Sequence, residues 1–293
     1  MKLIENYHLK KATTFKVGGF AKKLFIPENE EELAQIVGQL VSSGENLYIL
    51  SGGSNLLIND MKEFEFVISM EKACLELNYI GNGVFYIGAS NRIQRVIRFM
   101  NIIQYGGIEE LFGLPAMFGG IIYMNAGIGA KEKSLFTISQ FIKRVKVIDI
   151  KDIELKWLDC CQCEFSHRSS IFQNGRYVIL GAEVAMFPQS IEISEQRISE
   201  RIRYCKENQI WGKGCFGTVF SEANWRLLKM VSIIGKHINI ISSGGVTQAP
   251  SNVNWLVNNG TGTYSDAIRI IKLCEFWHRV FLKKIKREVQ IWE

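Results

Sequence analysis

The chain has 293 residues, 47% of them hydrophobic and 22% charged, and a formal net charge of +6. These proportions describe a globular protein with room for two or three domains, and they exclude a disordered or low-complexity chain. The positive charge is mild and dispersed, which suits anionic small ligands, and no block of like charges marks a polyanion-binding tail.

In chain order, Leu33, Ile36, Val37, Leu40 and Val41 recur at helical spacing behind Asn29, with Glu32 three residues on as in a capping pair. Gly44 ends that helix, and residues 46–50 read as a buried strand feeding the glycine turn Ser51-Gly-Gly-Ser-Asn-Leu-Leu57. A second block begins near residue 70. It carries a strand at 84–87, a helix after Ser90 marked by Ile93, Val96, Ile97 and Met100, and a second glycine segment, Gly113-Leu-Pro-Ala-Met-Phe-Gly-Gly-Ile-Ile-Tyr-Met-Asn-Ala-Gly127. Strands follow at 144–149 and 177–180. After Pro188 a polar helix over 194–208 leads to a third block with a strand at 217–220 and a helix at 223–231. A last helix starts at Ser265, with Ala267, Ile270, Ile271, Cys274, Trp277 and Phe281 on one face, and a strand over 286–292 ends the chain. Many short strands with few long helices predict an α+β arrangement.

Residues 1–8 carry no apolar stretch of the signal-peptide kind, and no apolar run reaches membrane-span length. Seven cysteines, an odd number, suit a reducing cytoplasm. The expectation is a cytoplasmic protein with neither membrane nor nucleic acid as partner. Cys160, Cys161 and Cys163 lack a second ligand pair at zinc-like spacing, and in a strand Cys161 and Cys163 would point the same way, so no metal is expected. Gly212-Lys-Gly-Cys-Phe-Gly217 fits the dinucleotide-binding spacing, but a polar helix precedes it and a strand-like run follows, the reverse of what that fingerprint needs.

The two glycine segments hold the most information. Glycines let backbone N–H groups approach a ligand and form an anion-binding concavity, and two such turns can clasp one pyrophosphate. The plainer reading is a pair of ordinary tight turns.

Five segments in order resemble the UDP-N-acetylenolpyruvoylglucosamine reductase family, in its shorter branch. They are Thr13-Thr-Phe-Lys-Val-Gly-Gly19; the first glycine segment with Asp60; the second glycine segment; Cys163-Glu-Phe-Ser-His-Arg-Ser-Ser-Ile-Phe172; and Gly217-Thr-Val-Phe220 with Glu288-Val-Gln-Ile291. The resemblance implies a two-lobed FAD-binding module of the vanillyl-alcohol-oxidase/PCMH type followed by a small α+β substrate domain. Lobe 1 would take residues 1–69 with the terminal strand 286–293, lobe 2 residues 70–188, and the substrate domain 189–285. FAD would lie on Gly52, Gly53, Ser54, Asn55, Leu56, Pro115, Gly119, Gly120, Asn125 and Gly127. NADPH would reduce it, and the enolpyruvyl group of a nucleotide-sugar substrate would accept the hydride.

Adding hydride to an enol ether conjugated to a carboxylate builds negative charge on that carboxylate, so the chemistry needs a cation, a hydrogen-bonding acid and a proton donor. The resemblance assigns these to Arg168, Glu288 and Thr218. Arg168 would grip the carboxylate, and Glu288 would stay protonated or share a proton. Thr218 stands where the family has serine, and its methyl group restricts the hydroxyl. Each has a plainer reading: a surface arginine, the polar face of a last strand, and an ordinary strand threonine.

Other positions depart from the family. His167 replaces a tyrosine, Ala116 a glycine, and Ser221-Glu222-Ala223 a Lys-Asn-Pro whose lysine and asparagine would help hold the nucleotide sugar, while Glu222 would repel its diphosphate. Thr247-Gln-Ala-Pro-Ser-Asn-Val-Asn254 replaces a shorter stretch before the pattern resumes at Asn254-Trp-Leu-Val-Asn258. The flavin side is thus better kept than the substrate side. This leaves room for an FAD oxidoreductase with another substrate, or a flavin-binding protein without catalysis.

Overall fold

The computed structural model describes residues 1–128, 136–210, 213–237 and 244–293. The chain forms two compact units, one of residues 1–4, 23–52 and 66–207, the other of 5–22, 53–65 and 208–293. The division therefore falls inside the first glycine segment, between Gly52 and Gly53.

The first unit is built on a five-stranded antiparallel sheet. Its strands lie in the order Glu154–Asp159, Ile142–Asp149, Tyr177–Ala185, Val84–Gly88, Leu77–Gly81. Among the described residues, four α-helices accompany it: α1 (Glu30–Ser42), α2 (Ile93–Ile102), α3 (Phe118–Tyr123) and α4 (Ile191–Asn208). Helix α1 starts as its sequence dictates, with Asn29 Oδ1 accepting from the Glu32 amide at 2.9 Å. Leu33, Ile36 and Val37 of α1, Ile93, Val96 and Ile97 of α2, and Phe85, Ile87, Val145, Val147 and Leu180 of the sheet share one core. The strand expected over 46–50 is only Ile49–Leu50, because its parallel partner meets it at those two positions alone, Ile49 with Ile68 and Leu50 with Ser69.

At one end of this sheet the carboxylate of Asp149 is buried, and it accepts from Arg176 Nε at 2.9 Å and Nη2 at 2.6 Å, and from Lys156 Nζ at 3.0 Å. The Arg176 bonds come first, with Lys156 and the Lys151 amide behind them. Together they outweigh burial and hold this carboxyl well below the usual carboxylate range. Cys160–Cys163 is a 3-10 turn, not a strand, so Cys161 and Cys163 do not share a face: Cys161 is exposed and Cys163 buried.

The second unit has a three-stranded antiparallel sheet, in the order Gly214–Thr218, Trp255–Asn258, Val246–Gln248, packed with α5 (Trp225–His237) and α6 (Tyr264–Val280). Phe15, Phe216, Leu228, Val231, Leu256, Ala267, Ile271, Cys274 and Val289 form its core. The expected strand over 217–220 is broken at Val219. Gly214–Thr218 pairs with Trp255–Asn258, whereas Phe220–Glu222 pairs with Lys286–Arg287. The terminal strand is likewise two pieces, the second of which, Gln290–Trp292, runs parallel to Leu56–Ile58. Within α6, His278 is fully buried. Its Nδ1 donates to Cys274 O at 2.7 Å, and its Nε2 accepts the Asn224 amide at 2.9 Å, which ties the start of α5 to the end of α6.

Gly212, the first glycine of the rejected dinucleotide fingerprint, lies outside the described residues. The remaining glycines of that motif sit on or beside a strand that no helix follows directly.

Candidate functional site

Within the first unit the two glycine segments lie against each other. A side chain at Gly52 would meet Met117 N at 3.2 Å and Pro115 O at 3.4 Å, and one at Gly120 would meet Ser51 Oγ at 3.4 Å. The second segment is pinned from the end of the strand Val84–Gly88. Ala89 O accepts the Gly119 amide at 2.9 Å and Asn91 O the Phe118 amide at 2.8 Å. The entry into that segment is fixed from α2, where Gln94 Nε2 donates to both Phe112 O and Leu114 O at 2.7 Å. Pro115, Gly119 and Gly120 are thus held beside Ser51 and Gly52.

Ser51 Oγ is buried and has no hydrogen-bond partner. Such a hydroxyl carries a desolvation cost unless a ligand meets it. A free donor between the first glycine turn and the glycines of α3 fits an anionic oxygen of a pyrophosphate, so the residues present suit FAD.

The rest of the first segment belongs to the second unit. Gly53 has φ +59°, and a side chain there would lie 2.0 Å from Ala12 O, so only glycine fits. Gly53 O and Ser54 O accept from Thr14 Oγ1, each at 3.4 Å, and Gly53 O also takes the Thr14 amide at 3.0 Å. This joins the Thr13-Thr-Phe motif to the glycine turn. Leu56 is buried on the strand that pairs with Gln290–Trp292. Asn55 Nδ2 donates to Glu288 O at 3.1 Å, while Asn55 Oδ1 is a second buried atom with no partner, an acceptor open to a ligand hydroxyl or amide.

Glu288 and Thr218 come together here. The Glu288 amide donates to Val219 O at 2.8 Å, one residue beyond Thr218. Thr218 stands directly opposite Trp255, whose indole Nε1 donates to Thr218 Oγ1 at 3.2 Å. Trp255 was not singled out from the sequence, because strand patterning does not fix which residue of a partner strand stands opposite. Ser221 Oγ donates to Lys286 O at 3.4 Å, and Glu222 faces Lys286. Since the chain changes partner at Val219, Ser221 and Thr218 do not lie on one continuous strand.

Arg168 lies in the first unit, with φ +54°. Its Nη2 donates to Gly127 O at 2.6 Å. The surrounding loop is clamped on the second glycine segment. Asn125 Nδ2 donates to Ser166 O at 2.9 Å, Ser170 Oγ to Tyr123 O at 2.7 Å, and Gln173 Nε2 to Tyr123 O at 3.1 Å and Arg168 O at 3.2 Å. Asn125 is also left-handed, with φ +43°, and a side chain at Gly127 would lie 2.1 Å from Phe136 O. Two adjoining turns of non-glycine residues in sparsely populated conformations, each locked by side-chain bonds, mark a segment held for position. Sequence reasoning missed Ser170 and Gln173 as the clamp, although both lie in or beside the arginine motif. Among the described residues no group of His, Cys, Asp or Glu is arranged to hold a metal ion.

Residues 21–158 match the family model described as FAD binding domain. Over 298 aligned residues the chain is 28% identical to the UDP-N-acetylenolpyruvoylglucosamine reductase of Carboxydothermus hydrogenoformans, covering 99% of this chain and 93% of that one. The enzyme of the same name from Bacillus pumilus is 25% identical, covering 99% and 91%. The crystal structure of UDP-N-acetylenolpyruvylglucosamine reductase from Thermus caldophilus superposes with a TM-score of 0.73 at 22% identity, covering 100% of both chains, and has the same fold.

Proposed function

Because this chain belongs to the UDP-N-acetylenolpyruvoylglucosamine reductase family, we propose that it reduces the enolpyruvyl group of UDP-N-acetylglucosamine enolpyruvate to UDP-N-acetylmuramate, with NADPH as reductant, in peptidoglycan precursor synthesis. The observation that carries this reading is the pair of glycine segments packed on each other around an unpartnered Ser51 hydroxyl, with the arginine loop clamped to the second of them. FAD, when bound, supplies a hydride carrier between the nicotinamide and the enolpyruvyl carbon.

The roles of the side chains follow from charge. Ser51, Gly52, Gly53, Ser54, Asn55 and Leu56 on one segment, and Pro115, Gly119, Gly120, Asn125 and Gly127 on the other, are proposed to bind the cofactor. Arg168 is proposed to pair with the substrate carboxylate; a planar guanidinium engages both of its oxygens. Its Nη2 bond to the Gly127 carbonyl fixes the guanidinium beside the second glycine segment. Glu288 is proposed to hydrogen-bond the enolic form of that carboxylate. Thr218 is proposed to deliver the proton to the neighbouring carbon. Its oxygen accepts from Trp255, so its own O–H remains a donor, and the indole N–H steadies the charge left when the proton departs.

Domains of 1–69 with 286–293, 70–188 and 189–285 are proposed as the functional division. A nucleotide sugar and NADPH as partners suit a cytoplasmic setting, and among the described residues no helix is long and apolar enough to cross a membrane.

One observation favours a second reading, an FAD oxidoreductase acting on another substrate: Ser221 and Glu222 stand where the family has lysine and asparagine, and the Glu222 carboxylate would repel a diphosphate. Following NADPH oxidation with and without the enolpyruvyl sugar nucleotide separates the two. Substrate-dependent turnover giving UDP-N-acetylmuramate supports the first. NADPH consumption that ignores this substrate supports the second.

A further inference from the structure

The end of α6 carries a surface that the proposed reaction does not use. Helix α6 closes with a Schellman turn, in which the Leu282 amide donates to Arg279 O at 3.1 Å and the Lys283 amide to His278 O at 2.8 Å. The left-handed position of such a turn is usually glycine. Here it is Leu282, with φ +51° and 91% exposed. A leucine there is unfavourable both for its backbone and for its contact with water. Around it stand Phe276, Val280 and Phe281, exposed at 54%, 50% and 49%. The rings of Phe276, Trp277 and Phe281 form a chain, with centroids 5.5 and 6.0 Å apart. The Asn224 to His278 bond brings the N-terminus of α5, and with it the exposed Trp225, to the same end of the unit.

Along this stretch of chain the charge has one sign, although Glu222 stands opposite Lys286 on the neighbouring strand. Residues 276–286 contain Arg279, Lys283, Lys284 and Lys286 and no Asp or Glu, and all four cations are exposed. The nearest acid in sequence, Glu275, is paired with Arg287 through Nη2 at 2.7 Å. An isologous interface would set two such cationic patches against each other, so charge disfavours a second copy as the occupant. Protein interfaces also deplete lysine, whereas this patch is rimmed by it. Exposed aromatic and aliphatic side chains beside a lysine cluster match the interface of an anionic bilayer, where rings and leucine sit at headgroup depth and each cation gains from the surface potential.

We propose that the turn at Phe281–Leu282, with its lysine rim, docks the protein on anionic membrane lipid. The protein would then lie on the membrane surface without spanning it, a departure from the expectation of no membrane partner. The test is co-sedimentation of the FAD-loaded full chain with phosphatidylcholine vesicles, with and without phosphatidylglycerol. Binding is expected only with phosphatidylglycerol, and it should be stripped by high salt. Leu282→Gly keeps a residue suited to the left-handed backbone, so its fold is safeguarded; combined with Phe281→Ser it should lower vesicle affinity more than about tenfold. Lys283→Glu with Lys284→Glu should do the same. Neither pair should alter flavin absorbance or NADPH turnover, whose loss would count against the proposed reaction and not against this surface. No binding to either vesicle, equal binding to both, or a lipid-free dimer dispersed by Leu282→Gly would each overturn the proposal.

Discussion

Trp255 and Thr218 face each other across two antiparallel strands, and the indole N–H of the first donates to the hydroxyl oxygen of the second at 3.2 Å. If Thr218 is the proton donor, that bond both aims its O–H and stabilises the oxygen it leaves behind. Trp255→Phe keeps the ring but removes the N–H. It should lower kcat about tenfold with little change in KM, the size of one hydrogen bond made stronger in the transition state. Thr218→Val, which removes the hydroxyl at nearly constant shape, should cost at least about a hundredfold. Steady-state kinetics of both variants decide this; a full-rate Thr218→Val would remove threonine from the mechanism.

Arg168 is held in a left-handed conformation by Gln173 and by its own bond to Gly127 O. Arg168→Lys retains charge but not the bidentate fork, and should lose on the order of a hundredfold in kcat/KM. Flavin absorbance should be retained. If the variant loses its flavin instead, the arginine serves the cofactor segment and not the substrate.

Ser51 separates a cofactor role from a structural one. Its hydroxyl has no partner in the protein, so Ser51→Ala breaks no intramolecular bond. Stability without FAD should change by no more than about 0.5 kcal/mol. FAD affinity should fall about tenfold. Thermal unfolding with and without added FAD reads both quantities.

Much of this was legible locally. The Asn29 cap and the apolar stripe of α1 are patterns within a few residues, and they formed as read, whereas the second glycine segment, read as a turn, places Gly119 and Gly120 inside α3. What failed depended on distant partners. Residues 217–220 have the apolar content of one strand, but Thr218 pairs with Trp255 and Phe220 with Arg287, and the chain turns between them at Val219. The cysteines became a 3-10 turn because Asp159 and Gln162 form a capping box, with the Asp159 amide donating to Gln162 Oε1 at 2.8 Å, that the cysteine spacing alone did not reveal. Neither the orphaned Ser51 hydroxyl nor the indole opposite Thr218 can be read from a window of sequence, since each is a fact of register and burial.

Acid sensitivity should trace in part to Asp149. Its carboxyl is held below the usual range by Arg176 first and Lys156 next. A lowered folded-state pKa stabilises the protein fully above the unfolded value near ~3.9, and that contribution is lost as pH falls below it. Asp149→Asn should therefore be less stable at pH ~7 by about 1–2 kcal/mol, a modest figure because Arg176 is half exposed and screened. The gap between variant and parent should narrow as pH drops through ~3. A gap that stays constant across this range would show that the pair does not control acid unfolding.

The account stands on the two glycine segments as a flavin cradle. Its most direct test is a calorimetric titration of FAD into the apo chain, repeated with Gly120→Val, which would press a branched side chain against Ser51. The prediction is saturable binding of one FAD per chain that the variant abolishes while keeping its circular dichroism. A folded parent chain that takes up no FAD would contradict the central claim.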